Sequence, residues 1–201
     1  KGWFDWETFD VDVPQRRGET VVLATDEGVR GATTADTLAE LRPVFDKAGT
    51  VTAGNASTLN DGASAVLIAE ADFAKAQGWE ILATIEDYCT SGVEPARVMS
   101  APIPAVKMLL ERNGLGVLDV DVYEHNEAFA SASCAVAQEV GIPEDRFNLH
   151  GGAVSLGHPL GASGTRCLIT MLGVMRRLEA TSGIVTLCLG GGNAVAMYVR
   201  R

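Results

Sequence analysis

The feature that most constrains the fold is an alternation of strand-like and helix-like segments that begins near Trp79 and continues to the C-terminus. Short apolar runs alternate with amphipathic runs of helical periodicity. This pattern predicts an α/β fold, in which helices cover a sheet. The last two predicted strands flank GGGN, a turn sequence typical of a hairpin. The predicted strands cover residues 80–88, 120–124, 146–150, 184–189 and 194–199, and the predicted helices cover residues 103–113, 127–140 and 161–178.

The first 79 residues lack this alternation and contain more turns. Their predicted elements are a strand at residues 21–24, a helix at 38–41, a strand at 65–69 and a helix at 71–77. The strand at 65–69 (AVLIA) is wholly apolar, yet it has no sheet of its own in this part of the sequence. An unpaired strand edge promotes pairing with another chain. We therefore expect a second polypeptide to pair with this segment.

Charge and hydropathy exclude two classes of function. The 201 residues carry a net charge of −10, so the chain lacks the excess of lysine and arginine that nucleic-acid binding requires. No apolar run approaches the ~20 residues needed to cross a bilayer, which argues against an integral membrane protein. Residues 151–201 contain one acidic residue and five arginines, so an anionic ligand would meet the least repulsion there.

The four cysteines give no sign of a metal site. Cys89, Cys134, Cys167 and Cys188 form no C-x-x-C pair, so neither a zinc site nor a thioredoxin-like motif is indicated. The chain is also too long to be read as a small secreted disulfide scaffold. We therefore expect reduced thiols, a cytoplasmic location and no metal.

Three polar residues are predicted to lie where strands end and loops or helices begin. They are Asn126 in EHNEAFA, His158 in GGAVSLGHPLGASGTR and Cys188 in CLGGGNA. In open α/β sheets, ligands bind outside the carboxyl ends of the strands. A histidine can activate a nucleophile or donate to an oxyanion, an asparagine can hold a water, and a cysteine can move a proton. Together they indicate a site for acyl chemistry.

Each of these residues alone has an ordinary explanation. Asn126 could be only a helix N-cap, and His158 could be only a structural loop residue. A cysteine in an apolar strand is usually buried and inert. The surrounding glycines favour the functional interpretation, because glycine permits positive φ and leaves backbone N–H groups accessible to a ligand, as an oxyanion hole requires. These glycines are Gly151, Gly152, Gly157, Gly161 and Gly164 around His158, and Gly190, Gly191 and Gly192 after Cys188.

Four segments of the sequence resemble thiolases (acetyl-CoA C-acetyltransferases) in the family order and at compatible spacings. They are VTAGNASTLNDGA, NEAFA, GHPLGASGTR and CLGGGNA. The resemblance implies Claisen condensation of two acyl-CoA molecules, with acetyl-CoA favoured, or the reverse thiolysis of a 3-ketoacyl-CoA. It also implies a C-terminal thiolase domain with a mixed five-stranded sheet. On this basis residues 1–57 are the remainder of a CoA-binding loop domain, 58–79 the last strand and helix of the N-terminal domain, and 80–201 the C-terminal domain.

The resemblance assigns catalytic roles to four residues. His158 matches the histidine that activates the nucleophilic cysteine and lines the first oxyanion hole. Asn126 matches the asparagine that holds the water of that hole. Cys188 matches the second catalytic cysteine, which removes the α-proton of the incoming acyl-CoA. Gly190 matches the glycine whose N–H contributes to the second oxyanion hole.

The resemblance also implies where coenzyme A binds. Arg30, Ala53 and Ser57 fall on positions that contact the adenine and pantetheine parts. Phe45 and Phe129 fall on apolar positions near the pantetheine. Coenzyme A thioesters are then the substrates, and no other cofactor is implied.

One element of the family pattern is missing from these residues. Thiolases are about twice as long, and their acyl-accepting cysteine lies in the first half. Cys89 cannot replace it, because it lies in the strand-like segment TIEDYCTSG without a glycine-bounded helix start. The opening residues KGWFDWETFDVDV also read like the middle of a protein. We therefore expect a complementary N-terminal chain that supplies the nucleophile, and pairing of such heterodimers into a larger oligomer.

Two alternatives remain at this stage. The chain could be a catalytically silent CoA-binding or scaffolding subunit derived from thiolases, although a scaffold needs none of Asn126, His158 and Cys188. It could also belong to a related decarboxylating condensing enzyme, although such an enzyme is expected to use a His–His–Cys set.

Overall fold

The computed structural model describes all residues from Lys1 to Arg201. The strands are β1 (Val11–Val13), β2 (Val21–Leu23), β3 (Thr84–Gly92), β4 (Val122–His125), β5 (Ser182–Leu189) and β6 (Asn193–Arg200). The helices are α1 (Ala35–Ala39), α2 (Ala71–Ala76), α3 (Pro102–Arg112), α4 (Ala130–Val140), α5 (Ala153–Leu156) and α6 (Ser163–Leu178). Short 3₁₀ turns cover Pro95–Ser100, Val117–Asp119 and Glu144–Arg146. None of the helices is both long and apolar enough to span a bilayer.

A mixed sheet in the order β3–β6–β5–β4 forms the centre of the molecule. β4 and β5 run parallel, with His125 opposite Thr186. β5 and β6 form an antiparallel hairpin closed by the GGGN turn, as predicted, and β3 pairs antiparallel with β6. β1 and β2 form a separate two-stranded ribbon. The predicted α/β fold with a mixed sheet is confirmed.

Helices cover both faces of this sheet because successive strand residues point to opposite faces. Ile184 of β5 belongs to a buried cluster with Val106 of α3 and Val136 of α4. The next residue, Val185, belongs to a second cluster with Met171 of α6. All four residues of β4 are buried, as expected for a parallel strand covered on both sides. The carboxyl ends of β4 and β5 are thereby held rigidly side by side.

The sheet contains four strands rather than five, because residues 146–150 do not form the predicted strand. This segment touches the edge of the sheet through one parallel bridge between Phe147 and Tyr123. Asn148 has a left-handed backbone with a φ of 48°, which is incompatible with an extended strand. Its side-chain Oδ1 instead accepts the N–H of His125 at 2.7 Å. Only this single bridge occurs where the fifth strand of the sheet was predicted.

Residues 65–69 also do not form the predicted strand. They have no regular secondary structure and belong to neither sheet of this chain. The side chains of Leu67 and Ile68 are 77% and 69% exposed. They line a groove of about 560 Å³, to which Trp79, Ile81 and Leu172 also contribute. The strand prediction was wrong for this chain alone, and the segment is an exposed apolar surface.

Asn126 is not the N-cap of the helix that follows it. Its N–H donates to Thr186 O at 3.2 Å, which continues the parallel pairing beyond β4. Glu127 then adopts a φ of 60°, and α4 begins only at Ala130. The side chain of Asn126 is consequently free for another role.

The first eight residues fold back onto α6. Trp3 stacks on His150, with ring centroids 4.9 Å apart, and the Arg177 guanidinium lies 4.3 Å from the Trp3 ring centroid. Gly173 allows Trp6 to approach the helix closely, because a Cβ there would collide with the indole ring.

The domain boundaries predicted at residues 57 and 79 stay predictions.

Candidate active site

Two of the predicted site residues lie just beyond the last residue pair of the parallel strands β4 and β5. The register of His125 with Thr186 leaves Asn126 one residue, and Cys188 two residues, past that pair. Asn126 is 1% exposed and Cys188 is half-buried. This edge is where ligands bind in open α/β sheets.

The loop between α5 and α6 carries His158. Its backbone N–H donates to Thr58 O at 3.0 Å and lies 3.3 Å from Asn60 Oδ1. Gly157 has a φ of 91°, and a Cβ at this position would collide with the Asn60 side chain. The glycine therefore allows residues 58–60 to pack against the loop and to hydrogen-bond to it, which sets the position of the histidine.

Ser163 determines which ring nitrogen of His158 is available. The Ser163 Oγ lies 2.6 Å from His158 Nδ1 and donates its proton to Pro159 O at 3.0 Å. Because a hydroxyl has one proton, Oγ accepts from the ring, and we assign the ring proton to Nδ1. The lone pair on Nε2 is then free for a substrate or a thiol. Burial, and secondarily the charge of Arg166, lowers the pKa of His158, which favours this neutral form.

The structure brings Asn126 and His158 together. Asn126 Nδ2 lies 3.4 Å from His158 Nδ1 and 3.3 Å from His158 Nε2. A donor nearly equidistant from both ring nitrogens lies over the ring face, because it cannot align with both in-plane directions. The carboxamide therefore covers one side of the imidazole and leaves the Nε2 lone pair unblocked.

Arg166 and Glu124 complete a buried polar network around Asn126. Arg166 Nη2 donates to Asn126 Oδ1 at 3.2 Å, and Nη1 donates to Glu124 Oε1 at 3.2 Å. Burial raises the pKa of Glu124 to about 8, although the guanidinium acts in the opposite direction. Neither residue was identified from the sequence. The available signal was a charged residue inside a fully buried strand, which requires a partner.

Cys188 lies at the same edge but is not hydrogen-bonded to Asn126 or His158. Its Sγ lies 3.9 Å from the Sδ of Met99. Burial raises the pKa of the Cys188 thiol, so the protonated form is favoured. Gly190 follows in the β5–β6 turn, is exposed, and makes no backbone hydrogen bond through its N–H. The structure thus leaves one thiol and one N–H available at this edge of the sheet.

Three of the five predicted CoA-binding residues come together next to α4. Ser57 N–H donates to Ala128 O at 2.9 Å. The rings of Phe45 and Phe129 pack edge to face, with centroids 6.2 Å apart. Ala53 and Arg30 are exposed, and the Arg30 guanidinium makes no hydrogen bond or ion pair. The structure does not join Arg30 or Ala53 to the other three.

The other cysteines do not offer a second nucleophile at this edge. Cys89 is buried in β3, where its thiol donates to Ala105 O at 3.3 Å. Cys167 is buried in α6, and burial raises its pKa to about 12. Cys134 is exposed on α4.

Comparison with known proteins places this geometry in a family. Residues 79–201 match the family model described as the thiolase C-terminal domain, and residues 1–72 match that of the thiolase N-terminal domain. A probable acetyl-CoA acyltransferase of Staphylococcus epidermidis is 46% identical over 200 residues, which cover 100% of this chain and 50% of the relative. Acetyl-CoA acetyltransferase of Cupriavidus necator is 48% identical over 200 residues, which cover 100% of this chain and 51% of the relative.

Solved structures agree with the sequence relatives. The crystal structure of Bacillus anthracis acetyl-CoA acetyltransferase gives a TM-score of 0.92 at 38% identity, covering 99% of this chain and 50% of that one. Human mitochondrial 3-ketoacyl-CoA thiolase in complex with CoA gives 0.92 at 37% identity, covering 99% of this chain and 49% of that one. The chain spans about half the length of the relatives it matches. With both of its parts matched by the two domain models, the chain belongs to the thiolase family.

Proposed function

We propose that this chain carries the acid–base and oxyanion-binding half of a thiolase active site. The reaction is Claisen condensation of two acyl-CoA molecules, with acetyl-CoA favoured, or thiolysis of a 3-ketoacyl-CoA. The relatives named acetyl-CoA acetyltransferase and 3-ketoacyl-CoA thiolase support this reaction class. The observation that carries the proposal is the His158 imidazole, whose Nδ1 is bonded to Ser163 and whose Nε2 is free beside the buried Asn126.

In the first step, His158 activates a cysteine supplied by a complementary N-terminal chain. Its Nε2 takes the thiol proton, and the thiolate attacks the carbonyl carbon of the acyl-CoA. The resulting oxyanion accepts hydrogen bonds from protonated Nε2 and from a water held by Asn126 Nδ2. Such donors act where negative charge develops in the transition state. Collapse breaks the C–S bond to coenzyme A, and CoA leaves with the proton.

In the second step, Cys188 handles the α-proton. Its thiol first loses its proton to solvent, and the resulting thiolate removes a proton from the α-carbon of a second acyl-CoA. The carbanion then attacks the acyl-enzyme carbonyl. A C–C bond forms, and the thiolate of the complementary cysteine leaves and takes up a proton from solvent. The Gly190 N–H is available for an oxyanion at this step. Because burial raises the pKa of Cys188, its resting thiol is suited to return the proton in the thiolysis direction.

The need for a complementary chain is supported by the apolar groove that contains residues 65–69. This groove leaves Leu67 and Ile68 largely exposed, and a strand from another polypeptide would cover them. The proposal includes a heterodimer of this chain with the complementary chain, and the pairing of two of these heterodimers into a larger oligomer. The proposal also includes a cytoplasmic location, in which the four free cysteines would stay reduced.

The experiment combines this chain with the complementary half and compares Cys188→Ala with wild type. We expect mass spectrometry to show acetylation of the complementary cysteine in both. Condensation should fall by about 10²–10⁴ in the variant, because one positioned acid–base group is lost. Cys134→Ala, which removes an exposed thiol on α4, is the matched control and should change neither step.

Two results would contradict the proposal. If Cys188→Ala condenses acetyl-CoA at the wild-type rate, Cys188 is not the acid–base group. If the assembled wild type binds CoA but never becomes acetylated, the chain is the silent CoA-binding subunit instead.

A further inference from the structure

A buried polar chain links β4 to α6 behind the proposed site. Glu124 and Asn126 are two residues apart, so both side chains point to the face covered by α6. Arg166 of α6 lies between them and bonds each one through a different terminal nitrogen, at 3.2 Å in both cases. The Glu124 side chain is fully buried, and that of Arg166 is 18% exposed.

These contacts determine the orientation of the Asn126 carboxamide. The oxygen and nitrogen ends of an amide are nearly equal in shape, so hydrogen-bond partners decide which way it points. The Arg166 guanidinium is a donor only, and the Cys167 thiol also donates to Asn126 Oδ1, at 3.5 Å. A flipped amide would set its NH₂ group against these donors. The nitrogen is therefore left facing His158.

We propose that Arg166 is a positioning residue that holds the Asn126 carboxamide with its nitrogen towards His158, and that Glu124 holds Arg166 in place. This rests on the proposed function, in which that nitrogen holds the water of the oxyanion hole. A cation on the amide oxygen also polarises the amide and strengthens its N–H donors.

Glu124 is distinguished from the other acidic groups near Arg166 by its hydrogen bond. Glu7 and Glu127 both feel the charge of Arg166, which lowers the pKa of each against the effect of burial. Neither accepts a hydrogen bond from the guanidinium. Glu127 instead accepts the N–H of Val154 at 3.3 Å. Only Glu124 can fix the position of the guanidinium.

The test compares Arg166→Gln with Arg146→Gln in the chain assembled with its complementary half. Arg146 is the matched control, because it also bonds to the β4 region, through Leu118 O at 2.6 Å and Val120 O at 2.9 Å, but at the end away from Asn126. We expect Arg166→Gln to slow acylation by about tenfold, less than the roughly 10²–10³ for complete loss of an oxyanion donor. CoA affinity should stay within twofold, and Arg146→Gln should leave acylation unchanged.

A second comparison separates positioning from a general loss of stability. In an Asn126→Ala background, Arg166→Gln should slow acylation by less than twofold, because both changes act through the same amide. Glu124→Gln keeps an acceptor oxygen and should retain most of the rate, whereas Glu124→Leu should match Arg166→Gln. If the Arg166 and Asn126 effects multiply, or if Arg166→Gln acylates at the wild-type rate, the proposal is wrong.

NMR provides a readout that does not depend on thiolase activity. The side-chain ¹⁵N amide signal of Asn126, assigned from its loss in Asn126→Asp, should shift in Arg166→Gln and not in Arg146→Gln. The pKa of His158 should rise in Arg166→Gln, because a nearby positive charge is removed. If Arg166→Gln does not fold, Arg166→Lys keeps the charge and should shift the Asn126 signal without raising the His158 pKa. An Asn126 signal that is unchanged in Arg166→Gln overturns the positioning role of Arg166, whether or not the wild type is acylated. Absence of acylation in the wild type contradicts only the proposed function.

Discussion

The hydroxyl of Ser163 fixes the tautomer of His158, and with it the chemistry that the ring can perform. With the Ser163 proton directed to Pro159 O, the ring proton stays on Nδ1 and the Nε2 lone pair faces the site. A histidine with mixed tautomers would present a basic Nε2 only part of the time. The function of His158 therefore depends on a residue at the first turn of α6.

Ser163→Ala should slow acylation without changing CoA affinity. Loss of a hydrogen bond worth about 1 kcal/mol corresponds to roughly a fivefold slower reaction. The measurement is the pre-steady-state acetylation rate by acetyl-CoA. Ser155→Ala is the control, because Ser155 is an exposed serine that bonds only to Gly152 O. A Ser163→Ala rate equal to wild type would contradict the tautomer assignment.

His125 should make the protein sensitive to acid. The residue is fully buried, and burial lowers its pKa from 6.5 to about 4. The unfolded chain takes up this proton at higher pH than the folded one, so stability is present above pH 6.5 and is lost as pH falls towards 4. Between pH 7 and pH 5 this group alone should cost about 2 kcal/mol of unfolding free energy.

Urea unfolding of wild type and His125→Gln at several pH values measures this effect. Other groups, including Glu7 and Glu124 with raised pKa values, titrate in both proteins and cancel in the comparison. The variant should show the shallower loss of stability with acid, whatever its stability at pH 7. Parallel pH profiles would contradict the prediction.

Among the elements, the β5–β6 turn sets the position of Cys188 and Gly190. Gly192 has a φ of 91°, and a Cβ there would collide with Val93 O and crowd Pro95. Gly192→Ala should therefore reduce the unfolding free energy by at least ~1–3 kcal/mol, from backbone strain alone. Thermal or urea unfolding checks this. Gly190→Ala is the matched control in the same turn, because a Cβ there meets no atom within 4 Å. Equal stability losses would contradict this account.

The elements that the sequence predicted well are those set by local pattern. The periodicity of α3 and α6 and the hairpin turn between β5 and β6 were sufficient for their identification. The prediction of a strand at residues 146–150 was wrong because the left-handed Asn148 interrupts an otherwise strand-like run. The prediction of a strand at residues 65–69 was wrong because a strand needs a pairing partner, and these residues have none within this chain.

The site was also predictable only in part, because local sequence pattern reveals some of its residues and tertiary packing determines the others. The sequence reveals His158 and Cys188 through the glycines beside them, because glycine marks close approach of the backbone. It reveals Asn126 through its position between a predicted strand and a predicted helix. The contacts of Arg166 and Glu124 join α6 to β4 across 42 residues and depend on tertiary packing. The position of Asn126 after β4, rather than as a helix cap, depends on pairing with β5.

At the scale of the whole molecule, the groove around residues 65–69 should govern assembly. Ile68→Asp would place a charge on the apolar surface and should abolish association with the complementary half, while the central sheet stays folded. Light scattering and circular dichroism measure the two effects. Leu118→Asp is the control, because Leu118 is also 66% exposed but lies outside the groove. An Ile68→Asp complex as stable as wild type would contradict this role for the groove.

The central claim is that His158 drives acylation of a cysteine outside this chain. The most direct measurement is the acetylation burst by acetyl-CoA in the assembled His158→Ala protein, recorded beside its CoA affinity. We predict a burst at least about 10²–10³ slower, with CoA affinity unchanged. His150→Ala, which alters a histidine packed on Trp3 away from the site, should acylate normally. An unchanged burst in His158→Ala, or a joint loss of acylation, CoA binding and stability, would contradict the claim.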